Sequence, residues 1–156
     1  EALSSFGGVK RRFERVYSSD HKVVIDDYAH HPEEIKAAID AARQLYPTKK
    51  IAVVFQPHLF SRTRDLEDDF ASSLSRADEV ILMPIYPARE RPIDGVSSAH
   101  LLKKVTLKTK QLVEKRDLVL AVLSLSAEVV LILGAGDIDR FVDPIAEAFE
   151  QEHHVD

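Results

Sequence analysis

VVIDDYAHHPEEIKAAIDAARQL, residues 23–45, sets the architecture of this chain. Val23, Val24 and Ile25 form a short β-branched run, and two carboxylates, an aromatic ring and two imidazoles follow it. Pro32 then stands where a helix best tolerates proline, its first position, with Glu33 and Glu34 placed at the positive end of the helix dipole. Ile35, Ala38, Ile39, Ala42 and Leu45 recur at helical spacing, Arg43 sits in the last turn, and Pro47 closes the segment. A strand that passes through a polar turn into an amphipathic helix is half of a βαβ unit, and the rest of the chain repeats it.

Upstream, Val9 to Tyr17 carries Phe13, Val16 and Tyr17 among basic residues, and Ser18-Ser19-Asp20 turns the chain back into His21–Ile25, which predicts a hairpin. Downstream, Ile51–Phe55 is uniformly apolar, the pattern of a strand covered on both faces, and Leu66, Phe70, Leu74 and Ala77 give one buried helical stripe. Val80–Ile85 predicts a further strand, ended by Pro84 and Pro87, and Ser97-Ser98 can cap a helix through Leu101, Leu102 and Val105. Leu118–Leu125 fits a helix with stripe Leu118, Ala121, Val122 and Leu125, although a buried strand would look much the same. Val129–Leu133 reads as the last strand, Gly134-Ala135-Gly136-Asp137 as its turn and Ile138–Phe149 as the closing helix. The fold class is therefore α/β: a three-layer, Rossmann-like, mostly parallel sheet of about six strands with helices on both faces and an N-terminal hairpin-like pair. No repeat or linker divides residues 1–156, so one domain is expected.

Composition narrows the function. Of 156 residues, 45% are hydrophobic and 30% charged, and the net charge of −5 contains no basic block suited to nucleic acid or a membrane surface. The absence of cysteine excludes a disulfide framework, a thiolate metal site and a catalytic thiol, in keeping with a reducing cytoplasm. Leu118–Leu125 and Val129–Leu133 are too short to cross a bilayer, so a soluble protein is expected.

In a parallel α/β sheet, ligands bind beyond the carboxyl ends of the strands. Three polar turns fall there: residues 26–32 (DDYAHHP), 56–64 (QPHLFSRTR) and 86–92 (YPARERP). In the first, Asp27 suits a ribose hydroxyl, Tyr28 a base or sugar face, and His30 a donor; ordinary turn chemistry accounts for the same residues equally well. Glu33 and Glu34 make this turn a poor phosphate cradle. In the second, Arg62 beside His58 offers a planar fork for a carboxylate, whereas Arg64 is expected to pair with Asp68 four residues on. In the third, Arg89, Glu90 and Arg91 read by default as a solvated charge run. Gly134-Ala135-Gly136 lacks the third glycine of a dinucleotide fingerprint, with Asp139 in its place, and reads as a tight turn. His30, His31 and Glu34, with His58, resemble a metal cluster but lack complete zinc spacing, so no metal ligand is assigned. A phosphoacceptor receiver domain is excluded because Phe55 ends the strand where the acceptor aspartate is needed.

Taken together, DDYAHHP (26–32), FQPHLFSRT (55–63), YPARERPI (86–93) and GAGDI (134–138) resemble, in this order, the C-terminal domain of the Mur ligases. The acidic turn is shared with folate polyglutamate and murein-peptide ligases; FQPHLFSRT is similar to the alanine-adding branch. Phe6–Phe13 (FGGVKRRF) resembles the entry into that domain. The resemblance implies a cytoplasmic step of peptidoglycan synthesis in which L-alanine is joined to UDP-N-acetylmuramic acid through an acyl phosphate, with ATP and Mg2+. It further implies that His30 and Arg62 hold the alanine carboxylate, that Asp27 and Tyr28 contact the nucleotide, and that His31, His58 and Arg89 border the site. Some members carry an arginine where this chain has Leu59.

No G-x-x-x-x-G-K-[ST] phosphate loop occurs, and only five glycines are present. The resemblance therefore implies that the UDP-sugar and ATPase domains lie outside this chain, that no catalytic residue belongs to it, and that it packs against those domains and is inactive alone. Two other readings compete: a stand-alone metal-dependent hydrolase using His30, His31 and His58, and a non-catalytic ligand-binding α/β module. A related ligase of the murein-peptide or folylpolyglutamate type is the nearest variant of the first reading.

Overall fold

The computed structural model describes residues 11–155. Of the predicted first segment, Val9–Tyr17, only the part from Arg11 is described, and there β1 is Glu14–Ser18; Val9 and Lys10, with residues 6–10 of the Phe6–Phe13 motif, lie outside the described residues. β1 pairs antiparallel with β2 (Val23–Asp27), with an irregularity between Arg15 and Tyr17. The Ser19 hydroxyl, accepting from the backbone N–H groups of His21 and Lys22, shapes the turn between them.

Beyond the hairpin the chain alternates as its periodicity predicts. Helix α1 (Pro32–Leu45) leads to β3 (Ile51–Phe55), then α2 (Phe60–Asp65), α3 (Glu67–Leu74) and β4 (Glu79–Leu82). Helix α4 (Ser98–Lys104), capped by the Ser97 hydroxyl, precedes a short strand β5 (Lys110–Leu112). A 3-10 turn at Lys115–Asp117 enters α5 (Leu118–Leu123), which leads to β6 (Val129–Leu133). A second 3-10 turn, Asp137–Phe141, then opens α6 (Val142–Val155). The strand order is β1-β2-β6-β3-β4-β5, with every pair after the first parallel.

Alternation along the central strands separates two cores. Ile25, Val53, Phe55, Leu82 and Leu131 face α1, α3 and α4, where Ile35, Phe70 and Leu101 are buried. Val24, Val54, Ile81, Val130 and Ile132 face α5 and α6, where Leu118, Val122, Ile145 and Phe149 are buried. β3 and β6 are buried along their whole lengths because helices cover both faces, each full aliphatic burial contributing about 1.5–3 kcal/mol.

Several details differ from the sequence reading: the strand expected over Val80–Ile85 is Glu79–Leu82, and the closing helix expected over Ile138–Phe149 is a 3-10 turn as far as Phe141 and an α-helix over Val142–Val155. The stripe Leu66–Ala77 belongs to no single helix, because the backbone at Leu66 (φ −118°, ψ 20°) ends α2 before α3 begins. That break removes the expected Arg64–Asp68 pair: Arg64 bonds Asp65 at 2.8 Å and Asp68 takes Lys104 at 2.8 Å. β5, three residues of mixed polarity at the sheet edge, carries no apolar run that would announce it. By contrast, Leu118–Leu125 is helical through Leu123, and Leu118, Val122 and Leu125 are its buried positions.

Candidate functional site

The chain runs outward through β3, β4 and β5 on one helical layer and returns to insert β6 between β2 and β3 through the other. Such a reversal of strand order leaves a crevice at the carboxyl edge. The loops after β2, β3 and β4 all open there, and the turn after β6, between the first two, is short.

Glycine keeps that turn low. Gly134 has φ 148°, and a Cβ on Gly136 would stand 2.5 Å from Gln56 Oε1 and 2.7 Å from Tyr86 Cγ. Buried Gln56 donates to Asp137 (2.7 Å) and accepts from the Ile138 N–H (3.1 Å), so GAGD is a packed tight turn, as its pattern suggested. Burial opposes ionisation of Asp137, yet hydrogen bonds from Gln56 and Lys115 hold its carboxyl below the usual range.

Across this low turn the other loops meet. The rings of Tyr28 and His30 lie edge-on at 5.2 Å, those of His30 and His58 edge-on at 6.5 Å, and His58 stacks on Tyr86 at 5.6 Å. Arg62 Nη1 lies 3.0 Å from His58 Nδ1. Tyr28, His30, His58 and Tyr86, from the loops after β2, β3 and β4, and Arg62, from the helix α2 that follows β3, thus form one contiguous row. Tyr28 is 49% exposed, with the Arg11 guanidinium 5.3 Å from its ring centre.

Hydrogen-bond chemistry fixes what this row presents. Arginine only donates, so His58 Nδ1 accepts from Arg62, and the His58 proton lies on Nε2. Burial, then the charges of Arg62 and His30, hold His58 below the ordinary imidazole value, consistent with a neutral ring. His30 Nδ1 donates to the Tyr28 carbonyl (3.0 Å), which leaves Nε2 a lone-pair acceptor in the neutral ring and a donor in the imidazolium. Glu34 Oε1, 3.5 Å from His30 Nδ1, would face that positive charge. The row offers guanidinium and imidazole N–H groups, donors whose chemistry suits a carboxylate.

The remaining candidates are placed as follows. Asp27 accepts from the N–H groups of Phe13 (2.9 Å) and Ala29 (2.8 Å), and burial pushes its carboxyl above the usual range. Asp26, also pushed up by burial against the pull of Arg11, pairs with that arginine at 3.1 Å. His31 caps α1: its Nδ1 accepts from Glu33 N–H, and Glu34 reaches back to the N–H of His31. Arg89 is exposed in the loop after β4. Glu90, read as part of a solvated charge run, instead accepts from the Ser61 N–H (3.0 Å) and the Ser61 hydroxyl. Twenty-nine residues separate these partners, and nothing in the spacing of either loop marks the pair. Arg11 and Tyr86 were likewise not singled out as site residues; each is placed by contacts distant in sequence. Among the described residues no group of three His, Asp or Glu side chains is arranged to hold a metal ion, and no helix is long and apolar enough to cross a membrane.

A mostly parallel, doubly covered sheet that gathers cationic and aromatic side chains at the reversal of its strand order is an α/β domain of the Rossmann-like, doubly wound class. Residues 11–136 match the Mur ligase, glutamate ligase domain, and the chain belongs to the Mur ligase family. It is 55% identical, over 97% of its length, to the UDP-N-acetylmuramate–L-alanine ligase of Christiangramia forsetii and 51% identical, over 97%, to that of Cytophaga hutchinsonii, covering 33% of each. Among solved structures it is similar to UDP-N-acetylmuramate-alanine ligase from Thermotoga maritima (32% identity, TM-score 0.73, covering 97% of this chain and 32% of that one). A murein peptide ligase from Psychrobacter arcticus shares the fold at 20% identity and TM-score 0.71, over 94% of this chain and 31% of that one. The chain thus spans about a third of the length of the relatives it matches.

Proposed function

We propose that this chain is the amino-acid-gripping, closing domain of a cytoplasmic ATP-dependent ligase that joins L-alanine to UDP-N-acetylmuramic acid in peptidoglycan synthesis. The observation that carries the reading is the convergence of Tyr28 and His30, from the loop after β2, with His58 and Arg62, from the segment after β3, in one contiguous row of side chains. The identity to alanine ligases supports the alanine-adding branch over a folylpolyglutamate or murein-peptide ligase. His31, committed to capping α1, supports the ligase over a three-histidine hydrolase.

In this reading Arg62 and His30 hold the alanine carboxylate, and the amine is left facing an acyl phosphate formed by an ATPase domain that this chain packs against. Asp27 has used two of its roughly four lone-pair positions on backbone N–H groups and keeps capacity for a ribose hydroxyl, beside the exposed face of Tyr28. Magnesium, bound with ATP, supplies charge neutralisation at the phosphates. In this reading its protein ligands come mainly from the ATPase domain. The substrate carboxylate is oriented before reaction, so the clamp contributes by restricting how the amine approaches.

The test is alanine-dependent ADP release by the ligase containing this chain. Arg62→Ala removes a charge-assisted contact of about 2–3 kcal/mol and is expected to raise the KM for alanine about 30- to 100-fold while leaving that for ATP nearly unchanged. Tyr28→Ala is expected to do the reverse, raising the KM for ATP about fivefold through loss of ring stacking. Equal increases in both constants for Arg62→Ala would overturn the carboxylate role, and full activity from the isolated chain would overturn the closing-domain reading.

A further inference from the structure

Helix α2, which carries Arg62, has no cap of its own. Its N-cap, Leu59, offers no side-chain acceptor and takes φ 75°, a conformation that L side chains rarely adopt and that persists only where neighbouring contacts over-determine it. Those contacts are in place. The Leu59 N–H donates to the Tyr86 carbonyl (2.9 Å), its own carbonyl accepts from the Thr63 N–H (3.2 Å) and hydroxyl (2.8 Å), and the Tyr86 N–H donates to Pro57 (2.8 Å). The missing cap is supplied by another loop. Glu90 accepts from the Ser61 backbone N–H and hydroxyl, contacts that hold its carboxyl below the usual range. Glu90 is itself placed by a tight turn, its N–H donating to Pro87 (2.9 Å) after Ala88 at φ 55°.

We propose that Glu90 is the positioning residue of the amino-acid clamp: by capping α2 from the loop after β4, it fixes the Arg62 guanidinium against His58. This deepens the proposed function and rests on it for the identity of the ligand. The geometry is specific, because Ser61 precedes Arg62 directly and a short helix without its own cap frays from its first turn. The loop after β4 therefore decides whether the segment after β3 can grip a carboxylate, and a charge that looked merely solvated becomes an anchor for the residue that precedes Arg62.

The His58 ring provides a readout independent of catalysis. The charged or titratable groups that act on it are Arg62, His30 and Glu90. Losing a carboxylate alone would lower the His58 pKa, whereas releasing Arg62 from the ring would raise it. NMR titration of His58 in this chain is therefore expected to show an upward shift in Glu90→Ala, toward the value in Arg62→Ala, and a smaller shift in Glu90→Gln, whose amide oxygen still accepts. A downward shift or none in Glu90→Ala overturns the proposal. Should that variant fail to fold, Ser61→Ala, which keeps the carboxylate and removes only the hydroxyl, is expected to move His58 upward at reduced amplitude, and an unmoved ring there overturns it.

In the ligase containing this chain, Glu90→Ala is expected to raise the KM for alanine about tenfold, with kcat and the KM for ATP within about twofold, and Glu90→Gln to recover most of the loss. Parallel loss in all three constants, tracking a lower Tm, would reduce Glu90 to a structural role and overturn the proposal. The two readings fail separately. An upward His58 shift in an enzyme indifferent to alanine sinks the alanine assignment alone, while a normal alanine response with a downward shift sinks the positioning role alone.

Discussion

The two ends of the sheet use similar residues for different ends. At the amino edge, Lys22 donates to the carbonyls of Leu125 (3.2 Å) and Ala127 (2.6 Å), Glu79 accepts from the Ala127 N–H (2.6 Å), and Asp78 accepts from Ile51 N–H and Arg43 (2.8 and 2.9 Å). Each of these charged groups closes a backbone group or another charge of the protein itself. At the carboxyl edge, Asp27, Glu34, Glu90 and Asp137 do the same work, but Tyr28, His30, His58 and Arg62 present ring faces and side-chain N–H groups that, among the described residues, meet no backbone acceptor beyond the Tyr28 and His58 carbonyls. What distinguishes a site from a structural cluster here is surplus hydrogen-bonding capacity, held in place by carboxylates whose own capacity is spent on the loops.

The largest effect that would break this contrast is expected from Gly136→Ala. Its Cβ would overlap Gln56 and Tyr86, and because Tyr86 backs His58, the substitution should cost about 1–3 kcal/mol by chemical denaturation and also weaken alanine use. Loss of stability with an unchanged KM for alanine would show that the two edges are less distinct than proposed. Lys22→Met comes next: with two carbonyls left without their donor, a loss of about 1–2 kcal/mol is expected, with no change in the KM for alanine or ATP. An altered KM would assign the amino edge a part in ligand binding.

The smallest effect concerns pH. Burial opposes ionisation of Asp78, but hydrogen bonds from Arg43 and Ile51 hold it below the usual range. Its contribution is therefore present above the unfolded value, about 3.9, and lost as pH falls through the folded one. Asp78→Asn is expected to cost less than about 1 kcal/mol at pH 7, because the pair is partly exposed, and the difference from the parent should vanish in acid. Asp26 and Asp27, pushed up by burial, act with the opposite sign: their contribution is complete at low pH and falls as pH rises through their folded values. Unfolding free energies measured from pH 2 to 7 check both signs, and a difference for Asp78→Asn that persists at pH 2 would contradict the assignment.

Legibility in the sequence followed the range of the forces involved. The helix beginning at Pro32, the buried β3 and β6 runs and the Ser97 cap depend on neighbours within a few residues, and each was readable. β5 was not, because it is held by parallel pairing with β4 and has no apolar pattern of its own. The α2–α3 break at Leu66 was also hidden, since an amphipathic stripe continues across it. In the site, residue types and loop positions were visible for Asp27, Tyr28, His30, His58 and Arg62. Their division of labour was not: the capping by His31, the proton on His58 Nε2 and the clasp of Glu90 on Ser61 all depend on side-chain direction.

By itself the sequence determined the alternation of strands and helices, the loops in which polar chemistry could gather and the family resemblance, because periodicity, caps and motifs are local. Tertiary structure alone decided that β6 returns between β2 and β3, that a glycine turn lets two loops meet across it, and that a glutamate 29 residues away caps the helix bearing Arg62. Those outcomes depend on distances between segments, which are fixed only when the two faces of the sheet are buried together.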